Sequence, residues 1–536
     1  MPKQLSSLIR PLRLCKRRSV SVIACTVVLG VAAVTSGCQA VQFEAAAASL
    51  NLPRIPWEGG PAYYKQFVKA DAAGWDEPTF FPISVFLGSA DPSHVDQLRD
   101  AGVNTYLAVQ HAPHIHPISN ITSRGLFAIA NLDPENRTSD WTSVEVGDDR
   151  GVVGWFATDE CEMGYSGCTK HKLTATECDN AYDKKNAALT KLYVDRAECK
   201  SIASKITAVC SPLDPAKYQN LDECLEFVYQ KHLADQLRTK ADGRFVAANF
   251  GSGIARTFWS PTAMDSHYQY LDFTAVDKYA YTSKGAAGVF TGGGYNSGSF
   301  DWPEDAIVNR AATYGFMADQ FKRLQDPNNY RPIGVMVETG QPLIARDDCW
   351  TPACNIKPEQ IEGAVWSAII HEARHISYFS FNNGPTCGEI VNCPVVHDKV
   401  KVINGKIRSL APVLNGQSYY NETYANNGTT FYRYSFHNGT DTMLKTHNGS
   451  AYIFAGLGMD VTGQNTANCW VIDGKRACKN RGTSHPPGSK TFTLPAGVGG
   501  TTVEVVGENR TIPVINGSFT DNFAAEYIHH VYKITL

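Results

Sequence analysis

Two apolar segments of the chain carry carboxylic acids at or near their carboxyl ends. The segment "GVVGWFATDE" ends in Asp159 and Glu160, and the segment "RPIGVMVETG" contains Glu338. Hydrolysis of a glycosidic bond requires two carboxyl groups beside the scissile bond, one protonated and one ionised. Acids at the ends of two buried strands therefore make glycoside hydrolysis the first chemistry to consider.

Other polar and aromatic side chains follow the same kind of segment, and we expect them to bind a substrate. The predicted substrate-binding residues are His111, Asp159, Asn249, Asp277, Tyr279, Tyr281 and Trp302. Tyr279 or Tyr281 is expected to hydrogen-bond the carboxylate of Glu338 and keep it ionised. Prolines interrupt the histidines of "HAPHIH", so we interpret this segment as a loop lining the cleft and expect no metal there.

A second motif, His-Glu-x-x-His at His371, Glu372 and His375, matches the zinc-binding motif of zinc proteases. In such enzymes both histidines lie on one face of a continuous helix. Here the segment "HISYFSF" begins at the second histidine and has the pattern of a strand. We therefore expect His371, Arg374 and His375 to cap the carboxyl end of a helix, where the helix dipole favours cations. A zinc protease is the less favoured alternative.

The elements that would position these residues alternate between strands and helices. Eight strand-like apolar runs occupy residues 81–90, 104–110, 125–133, 151–160, 244–252, 271–282, 331–340 and 375–384. Helical segments such as "PSHVDQLRDAGV" and "PEQIEGAVWSAIIHEAR" separate most of them. This alternation predicts an α/β fold, a (β/α)8 TIM barrel with its active site at the carboxyl ends of the strands. The alternative is an open doubly wound sheet, but no glycine-rich phosphate loop follows the first run.

The acids at the fourth and seventh strands resemble those of the clan A, or 4/7, glycoside hydrolases. The segments "VVGWFATDE", "RPIGVMVETGQP" and "EGAVWSAIIHEARHISYFSFNNG" look like those of exported members, and the likeness covers most of residues 80–536. The resemblance implies that Glu160 is the acid/base and Glu338 the nucleophile. The clan usually has Asn where this chain has Asp159, so Asp159 is the alternative acid.

The retaining mechanism of that clan sets a geometric expectation. The carboxyl groups of Glu160 and Glu338 should lie roughly 5–5.5 Å apart. We expect a raised pKa at Glu160, because the negative charge of Glu338 disfavours the ionisation of a neighbouring acid.

Residues 161–243, between the fourth and fifth runs, are long, charged and rich in cysteine, with helical periodicity. We expect a helical insertion cross-linked by disulfides. Twelve cysteines follow Cys38, and this even number suits disulfide bonding in an oxidising compartment. Sequence alone does not fix the connectivity. Short spacings suggest the pairs Cys161/Cys168, Cys210/Cys224, Cys349/Cys354, Cys387/Cys393 and Cys469/Cys478, which leaves Cys178 and Cys199 to pair with each other.

The two ends of the chain differ from the barrel in pattern. The predicted organisation is a signal peptide at 1–38, a linker and N-terminal segment at 39–79, a barrel at 80–395 and a β-sandwich at 396–536. A basic start, an apolar run and "TSGCQA" are typical of an export signal, with Cys38 as the candidate lipidation site and ordinary cleavage as the alternative. From about residue 396 helical pattern is replaced by alternating runs such as "TTFYRYSFHNG", which predict an all-β sandwich.

Composition narrows the function. The 536 residues are 43% hydrophobic, and the formal net charge is −3. These values indicate a globular protein of two or three domains, and because no basic tract follows the N-terminal region, a nucleic-acid partner is not expected. We expect a carbohydrate substrate, no cofactor, membrane contact only through the signal or a lipid anchor, and a monomer that is secreted or lies at the cell surface. The leading hypothesis is a retaining glycosidase, and the alternative is a non-catalytic carbohydrate-binding barrel.

Overall fold

The computed structural model describes the chain from residue 50 onward, with internal gaps. The described residues are 50–109, 117–131, 146–161, 173–184, 195–215, 218, 221–239, 242–251, 270–277, 279–282, 310–322, 329–340, 355–379, 389–391, 393–426, 429–460, 469–472, 475–478 and 483–536. They include a strand within each of the eight apolar runs predicted from the sequence.

Eight parallel strands close into a barrel in the order β1 to β8, and β8 pairs with β1. The strands are β1 (Ile83–Phe86), β2 (Thr105–Leu107), β3 (Phe127–Asn131), β4 (Val152–Asp159), β5 (Phe245–Phe250), β6 (Phe273–Val276), β7 (Ile333–Glu338) and β8 (His375–Phe379). The TIM-barrel prediction is confirmed. The open doubly wound sheet is wrong for this chain, because the pairing of β8 with β1 leaves no open edge.

Both faces of the barrel strands are buried. The inward-facing positions supply Phe86, Phe156, Phe245, Phe273 and Met336 to one core cluster. The outward-facing positions join the surrounding helices in a second, larger core. Strands that are covered on both sides have nearly continuous apolar sequences, which is why the sequence revealed all eight. Polar side chains replace the apolar ones at a few positions, both near the amino-terminal ends, as at Ser84 and His375, and toward the carboxyl ends of these strands.

A short segment ahead of β1 closes the amino-terminal end of the barrel. It consists of a 3₁₀ helix (Gly60–Gln66) and α1 (Val68–Ala72). Tyr64 and Trp75 pack their rings against Phe245, with centroids 5.6 and 5.5 Å away. Part of the predicted linker and N-terminal segment therefore contributes to the barrel core.

Helices alternate with the barrel strands, and those outside the cysteine-rich insertion pack against the barrel. They are α2 (Pro92–Asp100), α3 (Ser119–Thr122), α4 (Ala175–Asp183), α5 (Arg196–Cys210), α6 (Leu221–Thr239), α7 (Ala312–Lys322), α8 (Pro358–Ile370) and α9 (Pro394–Leu414). Helix α2 begins after Asp91, whose side chain accepts backbone N–H groups of Ser93 and His94, an N-cap of the preferred kind. Within the described part of the chain, no helix combines the length and the apolar character needed to cross a membrane.

The cysteine-rich insertion is helical, as predicted. Cys178 of α4 is bonded to Cys199 of α5, and Cys210 of α5 is bonded to Cys224 of α6. All four cysteines are buried among the apolar residues of the insertion. The three helices are therefore linked covalently in series.

Helix α6 belongs to the insertion and to the barrel wall at once. The side-chain amide of Gln230 donates to the hydroxyl of Thr158 on β4 at 2.6 Å. Ala234 and Leu237 of the same helix lie in the core that surrounds the barrel. Strands β4 and β5 pair directly, and the described residues between them contain no strand. The predicted strand count is thus confirmed.

Helix α9 corrects the prediction that helical pattern ends near residue 396. Its buried face includes Asn404, a polar residue that interrupts the apolar period. The side chain of Asn404 accepts from the hydroxyl of Tyr378 at 2.7 Å and donates to the carbonyl of Ala101 at 2.8 Å. The helix therefore packs against the barrel along one face, whose buried residues recur at helical spacing.

The chain ends in an antiparallel sheet domain. Its strands are β9 (Ser418–Tyr419), β10 (Glu422–Asn426), β11 (Thr429–Arg433), β12 (Thr440–His447), β13 (Ser450–Leu457), β14 (Met459–Asp460), β15 (Cys469–Ile472), β16 (Lys475–Cys478), β17 (Thr483–Ser484), β18 (Gly488–Thr493), β19 (Thr502–Val505), β20 (Arg510–Pro513), β21 (Ser518–Phe523) and β22 (His529–Thr535). The largest sheet has the order β20-β19-β22-β13-β12-β9. The pair β18–β21 packs on it through Phe492 and Phe519, whose rings lie 5.2 and 4.8 Å from that of Tyr532.

Only some cysteines of the remaining predicted disulfides lie within the described residues. Cys161 and Cys393 are disulfide-bonded. Cys469 and Cys478 occupy opposite positions of the β15–β16 pair, as their predicted pairing requires. The other predicted disulfide cysteines, outside the described residues, are Cys168, Cys349, Cys354 and Cys387.

Helix α8 joins the barrel to the sheet domain. Its Trp366 is fully buried, and its ring stacks on His529 at 5.1 Å and on Phe454 at 6.1 Å. The ammonium group of Lys406 lies 5.2 Å from the same ring. Phe454 and Val531 of the sheet belong to the same apolar core as the outward face of the barrel. The two regions therefore share one continuous core.

Removing one cross-link of the insertion should destabilise the protein. The double variant Cys178→Ala/Cys199→Ala frees a loop with a sequence separation of 21 residues. Loop-closure entropy gives an expected loss of about 3 kcal/mol in the free energy of unfolding. Urea denaturation of the oxidised proteins measures it, with reduced wild type as the control. A loss below about 0.5 kcal/mol, the range of ordinary surface changes, would contradict the expectation.

Candidate active site

Four neighbouring strands bring polar side chains together at the carboxyl end of the barrel. Strand β4 ends in Asp159, and Glu160 follows directly. Strand β5 carries Asn249, Asp277 comes directly after β6, and β7 ends in Glu338. The strands are parallel neighbours in the order β4-β5-β6-β7, so these residues lie at the same end of the barrel, where barrel enzymes have their active sites.

The side chain of Glu338 is held from two sides. It is fully buried, with 0% of its surface exposed. The backbone N–H of Tyr281 donates to Oε1 at 3.0 Å, and the hydroxyl of Thr282 lies 3.5 Å from the same oxygen. The hydroxyl of Tyr314, on α7, donates to Oε2 and accepts the N–H of Ala280. Both carboxyl oxygens therefore have fixed directions.

The environment of Glu338 differs from our expectation in two respects. Burial raises its pKa to about 7, although hydrogen bonds from Tyr314 and from the backbone of Tyr281 oppose the rise. Both protonation states are thus populated near neutral pH. The hydroxyl donor is Tyr314 rather than Tyr279 or Tyr281, because Tyr281 contributes only its backbone N–H.

No sequence motif pointed to Tyr314 as a residue of the site. It lies near the start of α7, 24 residues before Glu338, and it is fully buried in the core around the barrel. A tyrosine in an amphipathic helix is normally assigned to the core on its pattern alone. Only the three-dimensional arrangement shows that its polar tip reaches the barrel mouth.

Asn249 connects two carboxyl groups at the mouth. Its Nδ2 donates to Oδ1 of Asp159 at 2.9 Å and to Oδ1 of Asp277 at 3.1 Å. Burial, together with the charge of Asp277, raises the pKa of Asp159 to about 7, while the bond from Asn249 lowers it. The hydroxyl of Tyr279 is hydrogen-bonded to Asp277. These four predicted residues therefore form one polar network.

The same asparagine leaves a buried acceptor. Asn249 has no exposed surface, and its Oδ1 has no hydrogen-bond partner among the residues that the structure describes. Buried polar atoms are nearly always paired, so an unpaired one in a native protein needs an explanation.

Glu160 has an unusual backbone. Its φ is +40°, in the left-handed region that residues other than glycine enter at a cost of about 1–3 kcal/mol. Its N–H donates to the carbonyl of Asn249 at 3.0 Å. A Cβ added to Gly251 would lie 2.1 Å from Oε1 of Glu160, so the carboxylate lies directly against the chain that leaves β5. Strain of this kind is concentrated at functional sites.

The His-Glu-x-x-His motif is not helical. Helix α8 ends at Ile370, and Glu372 has a φ of +68°. His371 lies between Asp319 and Asp441, with nitrogen–oxygen distances of 2.8 and 3.1 Å. Burial lowers the pKa of His371, but the two carboxylates outweigh burial and raise it to about 10. This histidine is a cation in a buried ion pair.

His375 lies inside the barrel, so the prediction that it caps a helix is wrong. It is the first residue of β8 and faces inward, because alternate strand residues point to opposite faces. Its ring stacks on Phe273 at 4.9 Å, and Nε2 lies 2.6 Å from the hydroxyl of Ser84. Burial lowers its pKa to about 3. The two histidines of the motif therefore do not share a face, as zinc ligands on a helix would.

Glu372 and Arg374 belong to a buried charge network near the amino-terminal end of the barrel. Arg374 pairs with Glu58 at 2.8 Å and with Glu372 at 3.1 Å, and Lys445 lies 3.4 Å from Glu372. Burial would raise the pKa of Glu372, but Lys445 and Arg374 lower it to about 2. Burial lowers the pKa of Lys445 to about 7. Among the described residues, no cluster of three or more His, Cys, Asp or Glu is arranged to hold a metal ion.

Three predicted residues are not covered by this geometry. His111, Trp302 and Cys38 lie outside the described residues. Tyr281 is described, but its hydroxyl is bonded to Glu526 of the sheet domain at 2.7 Å. Of the predicted substrate-binding residues, the structure thus brings together Asp159, Asn249, Asp277 and Tyr279.

Comparisons with known proteins give only remote likenesses. No family model matches the chain, and no curated protein matches it. A β-galactosidase from Bacillus circulans sp. alkalophilus is 8% identical over 85% of this chain and 99% of that chain, with a TM-score of 0.43. An α-amylase from Geobacillus thermoleovorans, complexed with acarbose, is 10% identical over 85% and 98%, with a TM-score of 0.41. A family 30 subfamily 8 xylanase from Clostridium acetobutylicum is 11% identical over 85% and 96%, with a TM-score of 0.37.

The class that the fold itself defines is a (β/α)8 barrel with a helical, disulfide-linked insertion and a C-terminal antiparallel sheet domain. Similarity at 8–11% identity does not assign an activity to this chain.

The raised pKa of Glu338 should be visible in protein stability. Its pKa is about 7 in the folded protein against an ordinary value of 4.5, so the folded state retains a proton that the unfolded state loses between these values. Glu338 therefore makes the free energy of unfolding fall as pH rises from 4.5 to 7. Glu338→Gln removes this contribution, and the stability of the variant relative to wild type should increase across that window.

Urea denaturation at pH 5, 6, 7 and 8 measures the effect. Glu504→Gln is the matched control, because the side chain of Glu504 is 54% exposed in the sheet domain. A stability difference between Glu338→Gln and wild type that stays constant with pH would contradict the expectation.

Proposed function

We propose that the protein is a retaining glycoside hydrolase acting on an extracellular polysaccharide or glycoconjugate, with Glu160 as acid/base and Glu338 as nucleophile. The observation that carries the proposal is the placement of these acids: Glu338 ends β7 and Glu160 follows β4, at the carboxyl end of a closed eight-stranded barrel. A retaining glycosidase needs two carboxyl groups about 5–5.5 Å apart there, and this separation remains our prediction for the pair.

In the proposed reaction, Glu338 attacks the anomeric carbon while Glu160 protonates the departing oxygen. A glycosyl ester with Glu338 forms, and Glu160 then removes a proton from the water that hydrolyses it. Attack requires the ionised form of Glu338. The donors of Tyr314 and Tyr281 support that form, because each lowers its pKa. They also fix the direction of the carboxylate, which favours a productive approach to the sugar.

Asp159 is the alternative acid in this scheme. Its pKa of about 7 suits proton transfer near neutral pH. Glu160 is preferred because its strained backbone and its contact with Gly251 place its carboxylate at the end of β5. Asp159 then helps Asp277 and Asn249 bind the sugar.

The proposed sugar site includes the buried acceptor of Asn249. A sugar hydroxyl is a donor that would pair with the Oδ1 of Asn249, which lacks a partner among the described residues. Asp277 and Tyr279 supply further polar groups in the same network. His111 and Trp302 complete the site in our proposal, and both remain predictions from the sequence.

Export forms part of the proposal. The disulfides Cys178–Cys199 and Cys210–Cys224 suit an oxidising compartment. A cell-surface protein attached through a lipid on Cys38, or a secreted protein, would meet extracellular glycans directly.

A non-catalytic carbohydrate-binding barrel is the second candidate. The observation that favours it is the complete burial of Glu338, both of whose oxygens are already bonded to protein groups. A nucleophile has to reach the anomeric carbon, whereas a residue that only shapes a binding cleft does not.

Two variants test the reaction. Purified wild type is first screened for hydrolysis of a panel of cell-wall and plant glycans and of aryl glycosides. Glu160→Gln should lower turnover of natural glycans by about 10²–10⁴-fold, and Glu338→Gln should abolish turnover while glycan binding persists. Azide should restore turnover of an aryl glycoside by Glu160→Gln. The product should be a glycosyl azide whose anomeric configuration is the same as that of the substrate.

The control for both variants is Glu504→Gln, which should behave as wild type because the side chain of Glu504, on β19, is 54% exposed. Wild type that binds a glycan but cleaves none would support the binding protein instead. Cleavage that survives Glu338→Gln would refute the assignment of the nucleophile.

Gly251→Ala separates the two candidate acids. The added Cβ would lie 2.1 Å from Oε1 of Glu160, so this carboxylate must move, while Asp159 keeps its bond to Asn249. Because the displaced atoms are the end of a flexible side chain, stability should change little. If Glu160 is the acid, turnover falls roughly 10- to 100-fold. Turnover and melting temperature both equal to those of wild type would point to Asp159.

A further inference from the structure

A turn of the sheet domain reaches the barrel wall behind Glu338. The turn, residues 524–528, connects β21 to β22 and packs against α8. A Cβ added to Gly363 of α8 would lie 2.6 Å from the backbone oxygen of Tyr527. Glycine at this position therefore allows the backbones of the helix and the turn to touch. This close approach places Glu526, in the middle of the turn, beside the barrel.

The carboxylate of Glu526 bridges two separate barrel elements. Its Oε1 accepts the hydroxyl of Tyr281, from the loop after β6, at 2.7 Å. Its Oε2 accepts the backbone N–H of Ala311, directly before α7, also at 2.7 Å. The two partners lie 245 and 215 residues away along the chain. Each carboxylate oxygen thus holds a different element.

These are the two elements that hold Glu338. The backbone N–H of Tyr281 donates to Oε1 of Glu338. Helix α7 begins directly after Ala311 and carries Tyr314, which donates to Oε2 of Glu338. The rings of Tyr281 and Tyr314 also stack, with centroids 6.0 Å apart. The carboxylate of Glu526 therefore contacts both elements that supply hydrogen-bond donors to Glu338, the loop after β6 and helix α7.

The carboxyl group of Glu526 is held by hydrogen bonds in a half-buried position. Burial raises its pKa, and the hydrogen bonds from Ala311 and Tyr281 together with the nearby Arg310 oppose that rise without cancelling it. Hydrogen bonds to a carboxylate are shorter and stronger than those between neutral groups. Loss of the carboxylate would also remove the acceptor of the Ala311 N–H at the start of α7, where N–H groups lack partners within the helix.

We infer that Glu526 is a positioning residue for Glu338, so that the C-terminal sheet domain completes the active site of the barrel. The inference rests on the proposed function for its catalytic consequence, while the linkage from Glu526 to Glu338 is independent of it. A merely structural Glu526 would attach the sheet to the barrel and affect stability without changing how Glu338 is held.

Three variants separate these roles in the full-length protein. Glu526→Ala removes both contacts, and Tyr281→Phe removes only the hydroxyl contact while the Ala311 bond stays. Glu526→Gln retains both contacts, since its Oε1 can accept from Ala311 and its amide can donate to the oxygen of Tyr281. Glu504→Ala is the matched control, a sheet-domain glutamate with an exposed side chain.

We expect Glu526→Ala to lower kcat roughly 10- to 100-fold with a smaller change in KM. Tyr281→Phe should have a weaker effect in the same direction, and Glu526→Gln should restore most of the activity. Looser donors stabilise ionised Glu338 less, so its pKa should rise, and the acidic limb of the pH–rate profile should move to higher pH. An unchanged kcat and pH profile in folded Glu526→Ala would overturn the inference.

A second measurement does not depend on turnover. The stability of Glu338→Gln relative to its parent is followed against pH in the wild-type and the Glu526→Ala backgrounds. If Glu526 positions the donors of Glu338, the titration in the Glu526→Ala background moves to higher pH. If the two titrations coincide, the positioning role is refuted even when Glu338→Gln abolishes catalysis. If the titration moves but no glycoside is cleaved, the linkage stands and the glycosidase proposal fails.

Discussion

The burial of a carboxyl group at the barrel mouth is the constraint on which the other features depend. Glu338 is shielded from water, and a buried carboxylate persists only where hydrogen-bond donors surround it. Its donors come from the loop after β6 and from α7, so both elements must keep fixed positions relative to β7. Closure of the barrel places the strands, and Glu526 contacts the two donor elements from the other side. The geometry of the barrel mouth therefore depends on elements from distant parts of the chain and not on the strands alone.

Buried carboxyl groups at the two ends of the barrel have pKa values that are shifted in opposite directions. At the amino-terminal end, Glu372 is surrounded by Arg374 and Lys445, and its pKa falls to about 2. At the mouth, Asp159 has an amide and a second carboxyl group as neighbours, and its pKa rises to about 7. A carboxylate among cations stays ionised over a wide pH range, whereas a carboxyl group with a pKa near neutrality can exchange its proton. In TIM barrels generally, the carboxyl ends of the strands hold the active site and the other end serves stability.

The sequence predicted what depends on local pattern and missed what depends on distant contacts. All eight strands were found because burial on both faces leaves long apolar runs, and the strand ends led to Asp159, Asn249, Asp277 and Glu338. Helix α9 was missed although its buried residues recur at helical spacing, and the contacts of its Asn404 with Tyr378 and Ala101 depend on residues far away in the chain. Tyr314 and Glu526 carry no local signal, since their roles come from partners 24 and 245 residues away. The sequence pattern already predicted that a strand begins at the second histidine of the His-Glu-x-x-His motif, and the helix end at Ile370 and the start of β8 at His375 confirm it.

Trp366 has a consequence for how such a chain can change over evolutionary time. Its ring is covered on the sheet side by His529 and Phe454, so a barrel without this sheet would present a large aromatic surface to water. A substitute module acquired by recombination would have to cover the same tryptophan and also supply an acidic turn at the place of Glu526. Accessory domains joined by flexible linkers face no such requirement. Barrel and sheet are therefore expected to be inherited together, with substitutions at their boundary coupled across it.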